Sequence, residues 1–209
     1  MFISFEGGEG AGKTTQIRWA AGFLESRGHS VVLTREPGGT PAGAEIRATL
    51  LAPRDRDINP MTELLLYMAD RAEHLAAVIE PAIAAGKWVL CDRYVDATAV
   101  YQGAVRGLGD DLVDRLHREL LGGRMPDRTF LLDLPVETGL ARAIEALGDG
   151  SRNRDESRFE GEALEFHQSI RRRYLQRARE SSDRFRVIDA DADPETVRGR
   201  IIDQLKAVS

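Results

Sequence analysis

The stretch Gly7–Thr14, GGEGAGKT, constrains this chain more than any other. It fits the pattern G-x-x-x-x-G-K-[ST]. Glycines let successive backbone N–H groups turn inward with no Cβ in the way. Such amides form an anion-binding nest, and a helix that begins directly after them adds its positive end. Lys13 is then placed to reach the β- and γ-phosphates of a nucleoside triphosphate, and the Thr14 hydroxyl to ligate Mg²⁺. The flanks agree with this reading. Phe2–Phe5 (FISF) reads as a short buried strand, and Ile17, Ala20, Ala21 and Leu24 recur at the spacing of one helix face. Strand, glycine loop, helix is the order the motif requires.

A chain of 209 residues suits one domain with a substantial core, so residues 1–209 are expected to form a single unit. Its net charge of −5 argues against a nucleic-acid binder, which needs a basic face. It leaves room for small phosphate ligands, because the local charge of a site can oppose the net charge. The one cysteine, Cys91, excludes an internal disulfide and sits in the apolar run WVLC as a small buried hydrophobe. Glu6 interrupts the apolar start, so no signal peptide is expected, and no apolar run reaches the length of a membrane span. A cytoplasmic setting follows as the default.

Further along, Ser30–Thr34 reads as a second strand, 35–40 as a Pro- and Gly-rich loop, and 42–51 as a short helix. Asn59-Pro60 pairs a capping residue with proline at the first helical position, starting a helix towards Ile79 that Pro81 kinks or divides. Trp88–Cys91 is a fully apolar strand of the parallel-sheet kind. Asp92-Arg93-Tyr94 follows at its carboxyl end, where open α/β sheets bind ligands. Asp110 is expected to cap a helix running to Leu121. Strands at 129–134 and 185–188 and helices at 136–147, 161–180 and after Asp193-Pro194 complete the pattern. Residues 148–160 read as a long mobile loop rich in arginine. Five strands alternating with helices make a single α/β domain around a parallel sheet.

Beyond the glycine loop, FEGGEGAGKTT at 5–15, TREPGGT at 34–40, YMADR at 67–71, DRYVDATAVYQG at 92–103 and SRFEGEALEFHQSIRRRYL at 157–175 follow one another in order. With these, the chain resembles the thymidylate kinases of the P-loop nucleoside-monophosphate kinase group, nearly end to end. The resemblance implies a P-loop NTPase-type five-stranded parallel sheet with helices on both faces, a mobile lid at about 148–160, and a homodimer. It implies transfer of the γ-phosphoryl of ATP to thymidylate, giving the diphosphate, with Mg²⁺. Another P-loop nucleoside or nucleotide kinase is the alternative, as is a nucleotide-binding switch protein, although the N-K-x-D base-reading sequence of GTPase switches is absent.

Carried over by position, Gly7, Gly8, Glu9, Gly10, Ala11, Gly12, Lys13, Thr14 and Thr15 would hold the donor, with Arg142 beside its adenine. Thr14 and Asp92 would serve the metal. Glu9, Glu36, Pro37, Arg47, Tyr67, Arg71, Arg93, Thr98, Tyr101 and Gln102 would form the acceptor site. Within it, Tyr67 stacks on thymine where many relatives carry Phe, and Tyr101 lies beneath the sugar. Lys13 and Arg93 would act in catalysis with the lid arginines Arg152, Arg154 and Arg158, because the loop Gly8–Ala11 offers no arginine of its own. Ser157 stands where an acidic residue often precedes the arginine matching Arg158. His29, His74, His117 and His167 lack metal-ligand spacing and receive no role.

Overall fold

A computed structural model describes residues 1–52, 58–148 and 163–208. The expected lid at 148–160, with Arg152, Arg154 and Arg158, lies outside the described residues apart from Gly148.

The sheet is built on β1 (Phe2–Glu6), every residue of which is buried. Around it lie β2 (Val31–Arg35), β3 (Trp88–Asp92), β4 (Arg128–Asp133) and β5 (Phe185–Asp189), all parallel, in the order β2-β3-β1-β4-β5. The glycine loop joins β1 to α1 (Lys13–Ser26). The remaining helices are α2 (Pro41–Leu51), α3 (Pro60–His74), α4 (Glu80–Ala84), α5 (Val95–Thr98), α6 (Asp110–Leu121), α7 (Val136–Gly148), α8 (Leu164–Glu180) and α9 (Pro194–Lys206).

Alternation along the strands sorts the core onto two faces. Ile3 and Phe5 pack with Ile17 and Leu24 of α1 and Val197, Ile201 and Leu205 of α9. On the other face Phe2, Val89 and Cys91 pack with Leu64 and Met68 of α3 and Val113 of α6. Leu131 packs there with Ile170 and Tyr174 of α8. Ser4 and Glu6 share the second face, so β1 buries a hydroxyl and a carboxyl beneath α8.

Three local details differ from the sequence reading. The helix starting at Pro60 is not broken before Pro81. A π-helical turn at Leu75–Ile79 follows α3 and leads into α4, with proline in the first turn of α4. Proline lacks an N–H and its ring crowds the carbonyl of residue 77, and a widened turn accommodates both. Asp110 is not a cap: Gly109 holds that position with φ 82° and no side-chain bond, and Asp110, the first helical residue, pairs with Arg173. The stretch 95–105 is helical, as α5 followed by a π-helical segment at Ala99–Val105. Its helicity was hidden because Val95, Asp96, Thr98, Ala99, Val100, Tyr101 and Gln102 are all buried, which erases the one-sided apolar stripe that periodicity detects.

Candidate active site

The glycine loop lies at the carboxyl end of β1, level with the ends of β3 and β4: Phe5 pairs with Asp92, and Glu6 with Leu131. Gly10, with φ 67°, presses against α7 so closely that a Cβ would lie 2.0 Å from the Gly139 carbonyl oxygen. Glycine there is required by helix packing as much as by the turn. Lys13, 9% exposed, donates to the carbonyls of Gly7 (3.0 Å) and Gly8 (2.9 Å) and so ties the loop together. Burial first, then Arg93, push its amine down to about 8. Thr14 donates through its hydroxyl to Asp92 Oδ2 at 3.2 Å. Two oxygen donors at the mouth of a phosphate loop fit Mg²⁺, which takes one or two protein ligands and completes its shell with phosphate and water. Among the described residues no cluster of three or more His, Cys, Asp or Glu side chains offers a different metal cage.

A cleft of about 1450 Å³ runs along this loop, lined by Glu9–Thr15 together with Asp92, Arg93 and Arg142. Arg142 donates to the carbonyls of Ala190 (3.2 Å) and Ala192 (3.3 Å), so its guanidinium plane is held at the β5–α9 junction, where a flat base can lie against it. Arg18 and Arg35, which the sequence reading did not single out, also line the cleft.

A second pocket, of about 590 Å³, contains every residue assigned from sequence to the acceptor: Glu9, Glu36, Pro37, Arg47, Tyr67, Arg71, Arg93, Thr98, Tyr101 and Gln102. Leu51, Tyr94 and Ala97 complete its wall. Arg71 is 1% exposed, donates to Glu36 Oε2 (2.8 Å) and Thr98 Oγ1 (2.8 Å), and lies over the Tyr94 ring. Arg47 donates to the carbonyl of Pro37, which follows a cis peptide bond. Arg93 donates to Glu9 Oε1 at 2.8 Å and stands over the Tyr101 ring, whose hydroxyl also reaches Glu9. The two cavities share Glu9, Glu36, Arg47 and Arg93, so they adjoin between two carboxylates and two guanidinium groups.

A sequence model of the thymidylate kinase family matches residues 5–201. The chain belongs to the thymidylate kinase family. It is 51% identical over 208 residues to the thymidylate kinase of Desulfosudis oleivorans, covering 100% of this chain and 97% of that protein. It is 52% identical over 202 residues to that of Desulforapulum autotrophicum, covering 97% and 89%. It is also 50% identical over 204 residues to that of Geobacter sulfurreducens, covering 98% and 95%.

For a thymidylate kinase site, the geometry adds residues that the motifs did not point to. His74, read as having no role, brings Nδ1 to 2.8 Å from Glu36 Oε1 and Nε2 to 2.6 Å from Thr34 Oγ1. It therefore grips the carboxylate that holds Arg71. Asp70 accepts from the Gly38 N–H at 2.9 Å, and burial with the nearby Glu36 pushes its carboxyl up to about 6. Glu63, fully buried, accepts from Gln102 Nε2 at 2.7 Å, which turns the amide nitrogen of Gln102 towards α3. Deeper in, Asp96 is gripped by Arg177 and Arg184. Burial alone would raise its carboxyl, but the two guanidinium groups override this and hold it below its ordinary range. For Asp70 the available signal was its place within YMADR. Nothing local marks Glu63, whose partner Gln102 lies 39 residues away, and although Asp96 falls within DRYVDATAVYQG, nothing local shows that it meets Arg177 and Arg184, 81 and 88 residues away.

Proposed function

We propose that this protein transfers the γ-phosphoryl of ATP to thymidylate, giving the diphosphate. The observation that carries the reading is the continuity of the acceptor pocket with the phosphate-loop cleft through Glu9, Arg47 and Arg93. Phosphoryl transfer asks the protein mainly to hold two anions in line and neutralise their charge. In this reading the amine of Lys13 leaves the Gly7 and Gly8 carbonyls for the β- and γ-phosphates. Arg93 bridges acceptor and transferring phosphoryl, with Glu9 orienting its guanidinium. Tyr67 offers a stacking face to the base, and Arg71, Thr98 and Gln102 meet its polar edge. Thr14 and Asp92 would hold Mg²⁺, which when bound neutralises charge between the phosphates.

The test is a coupled assay of ATP-driven phosphorylation across nucleoside monophosphates. Thymidylate should be turned over best, and higher activity on uridylate, cytidylate or adenylate overturns the assignment. The same assay tests Tyr101, whose buried ring rejects a 2′-hydroxyl by clash. Tyr101→Ala should narrow the preference for deoxyuridylate over uridylate by roughly tenfold, on the scale of small steric differences in a pocket. An unchanged preference removes that role.

We also propose that the protein is a homodimer and works in the cytoplasm. Dimerisation is supported by one face of α3 and the turn after it, where Met61, Leu65, Ala69, Ala72 and Ala76 are exposed at helical spacing. Sedimentation of the purified chain at micromolar concentration reads this directly, and a monomer mass would refute it. The cytoplasmic setting is supported by the single thiol, Cys91, which is buried and pushed up by that burial, so it is not poised for oxidation. Among the described residues no helix is long and apolar enough to cross a membrane.

A further inference from the structure

Arg93 is the one non-glycine residue with positive φ, 67°, among the described residues. L-residues avoid this region because Cβ crowds the following carbonyl, so the conformation persists only where its surroundings impose it. Next to it stands Glu6, the last residue of β1, with no exposed surface. Glu6 Oε1 accepts from the N–H of Tyr94, directly after Arg93, at 2.8 Å. The N–H of Arg93 itself goes to the carbonyl of Phe5 at 3.0 Å. Both sides of the strained residue are thus bonded to the end of the central strand.

The other carboxylate oxygen has a different task. Glu6 Oε2 accepts from the Tyr174 hydroxyl at 2.8 Å, which uses the only proton of that phenol. The phenol oxygen is left as an acceptor, and Arg93 Nη1 lies 3.4 Å from it. One carboxylate therefore reaches Arg93 by two routes, along the backbone through the Tyr94 N–H and to the guanidinium through the Tyr174 phenol. Burial, with Asp96 adding, pushes the Glu6 carboxyl up to about 7, while Arg93, Tyr174 and the Tyr94 N–H pull the other way. A buried carboxylate is costly to keep in a central strand, where an apolar residue would pack without penalty. Its two donors account for its presence.

We propose that Glu6 and Tyr174 are positioning residues for Arg93: the carboxylate holds the backbone turn, and the phenol aligns the guanidinium with the phosphates. Neither lines the phosphate-loop cleft or the acceptor pocket. The proposal rests on the reading that Arg93 serves the transferring phosphoryl, and it assigns to β1 and α8 the job of aiming that residue. Glu9 and Tyr101 hold the guanidinium from the pocket side, at 2.8 and 3.3 Å.

The experiment is a double-mutant cycle on kcat and on both KM values, with thermal melts of every variant. Tyr174→Phe keeps the ring and its packing and removes only the hydroxyl. It should lower kcat about tenfold, as small misplacements of a reacting group do, with KM for ATP within about twofold. In an Arg93→Ala background the same change should cost less than about twofold, because the group it aims is gone. Glu6→Gln keeps an acceptor for Tyr94 but turns a donor towards Tyr174, and should show the same dependence on Arg93. If Glu6→Gln does not fold, the Tyr174→Phe cycle decides alone. An equal loss with and without Arg93 means a purely structural role and overturns the proposal, as does an unchanged kcat in Tyr174→Phe. An Arg93→Ala variant with full kcat is a separate outcome: it removes the proposed role of Arg93, and the inference falls with it.

Discussion

Lys13→Ala should lower kcat by about a hundredfold or more, the scale of losing one preorganised charge at the transferring group. Among the described residues the amine is the only ammonium lining the cleft, and its present partners, the Gly7 and Gly8 carbonyls, are weak competitors for it against phosphate. The fold should survive. Lys13 opens α1, alanine is the best helix former, and the apolar face of α1 at Ile17, Ala20, Ala21 and Leu24 is untouched. Thermal melts should therefore stay close to the parent. A pH profile sharpens the test. The ligand-free amine is held down at about 8, below its ordinary 10.5, so it is charged below that pH and neutral above it. Phosphate binds the charged form, so the wild-type KM for ATP should rise as pH climbs through 8. The alanine variant should lack that rise. A folded variant with near-normal kcat would show that this loop is not the donor site.

Replacing Arg152, Arg154 and Arg158 together by alanine should cost at least about a hundredfold in kcat, against the 10³–10⁵ that an arginine finger can contribute. Most cations of the described residues that line the two cavities are already engaged. Arg93 is paired with Glu9, Arg71 with Glu36, Arg47 holds Pro37, and Arg142 holds Ala190 and Ala192. Two of these pairs are neutral overall, so they orient substrate better than they offset developing charge. The segment 149–162 leaves from α7, whose Arg142, Ala143 and Ala146 line the donor cleft. Thymidylate KM should change much less than kcat, since charge that develops only in the transition state does not hold the ground state. Single replacements should each cost less than the triple, with Arg158→Ala the largest. Wild-type kcat in the triple variant, under saturating substrates, would leave Lys13 and Arg93 as the main cations.

Local sequence determined the phosphate loop, its strand and helix, and the order of strands and helices around it. These depend on interactions within a turn or a few residues: glycines free to adopt positive φ, apolar spacing of 3.6 or 2, and Asn59 or Asp193 ahead of proline. The motifs TREPGGT, YMADR and DRYVDATAVYQG marked Glu36, Pro37, Tyr67, Arg71, Arg93, Thr98, Tyr101 and Gln102, and the fold brings all of them into one pocket with Glu9 and Arg47. Tertiary structure alone decided which buried groups they pair with. In the sequence Glu6 only interrupts the apolar start, yet its partners, Tyr94 and Tyr174, are 88 and 168 residues away. His74, Glu63 and Asp96 are the same kind of residue, each a buried polar group whose meaning lies in a distant donor or acceptor. The helical stretch 95–105 was hidden for a related reason: buried on all sides, it carries no stripe. A linear pattern records which face of an element meets the core, because water imposes that choice residue by residue. It does not record which polar groups meet inside the core, since those pairings exist only once strands from opposite ends of the chain lie side by side.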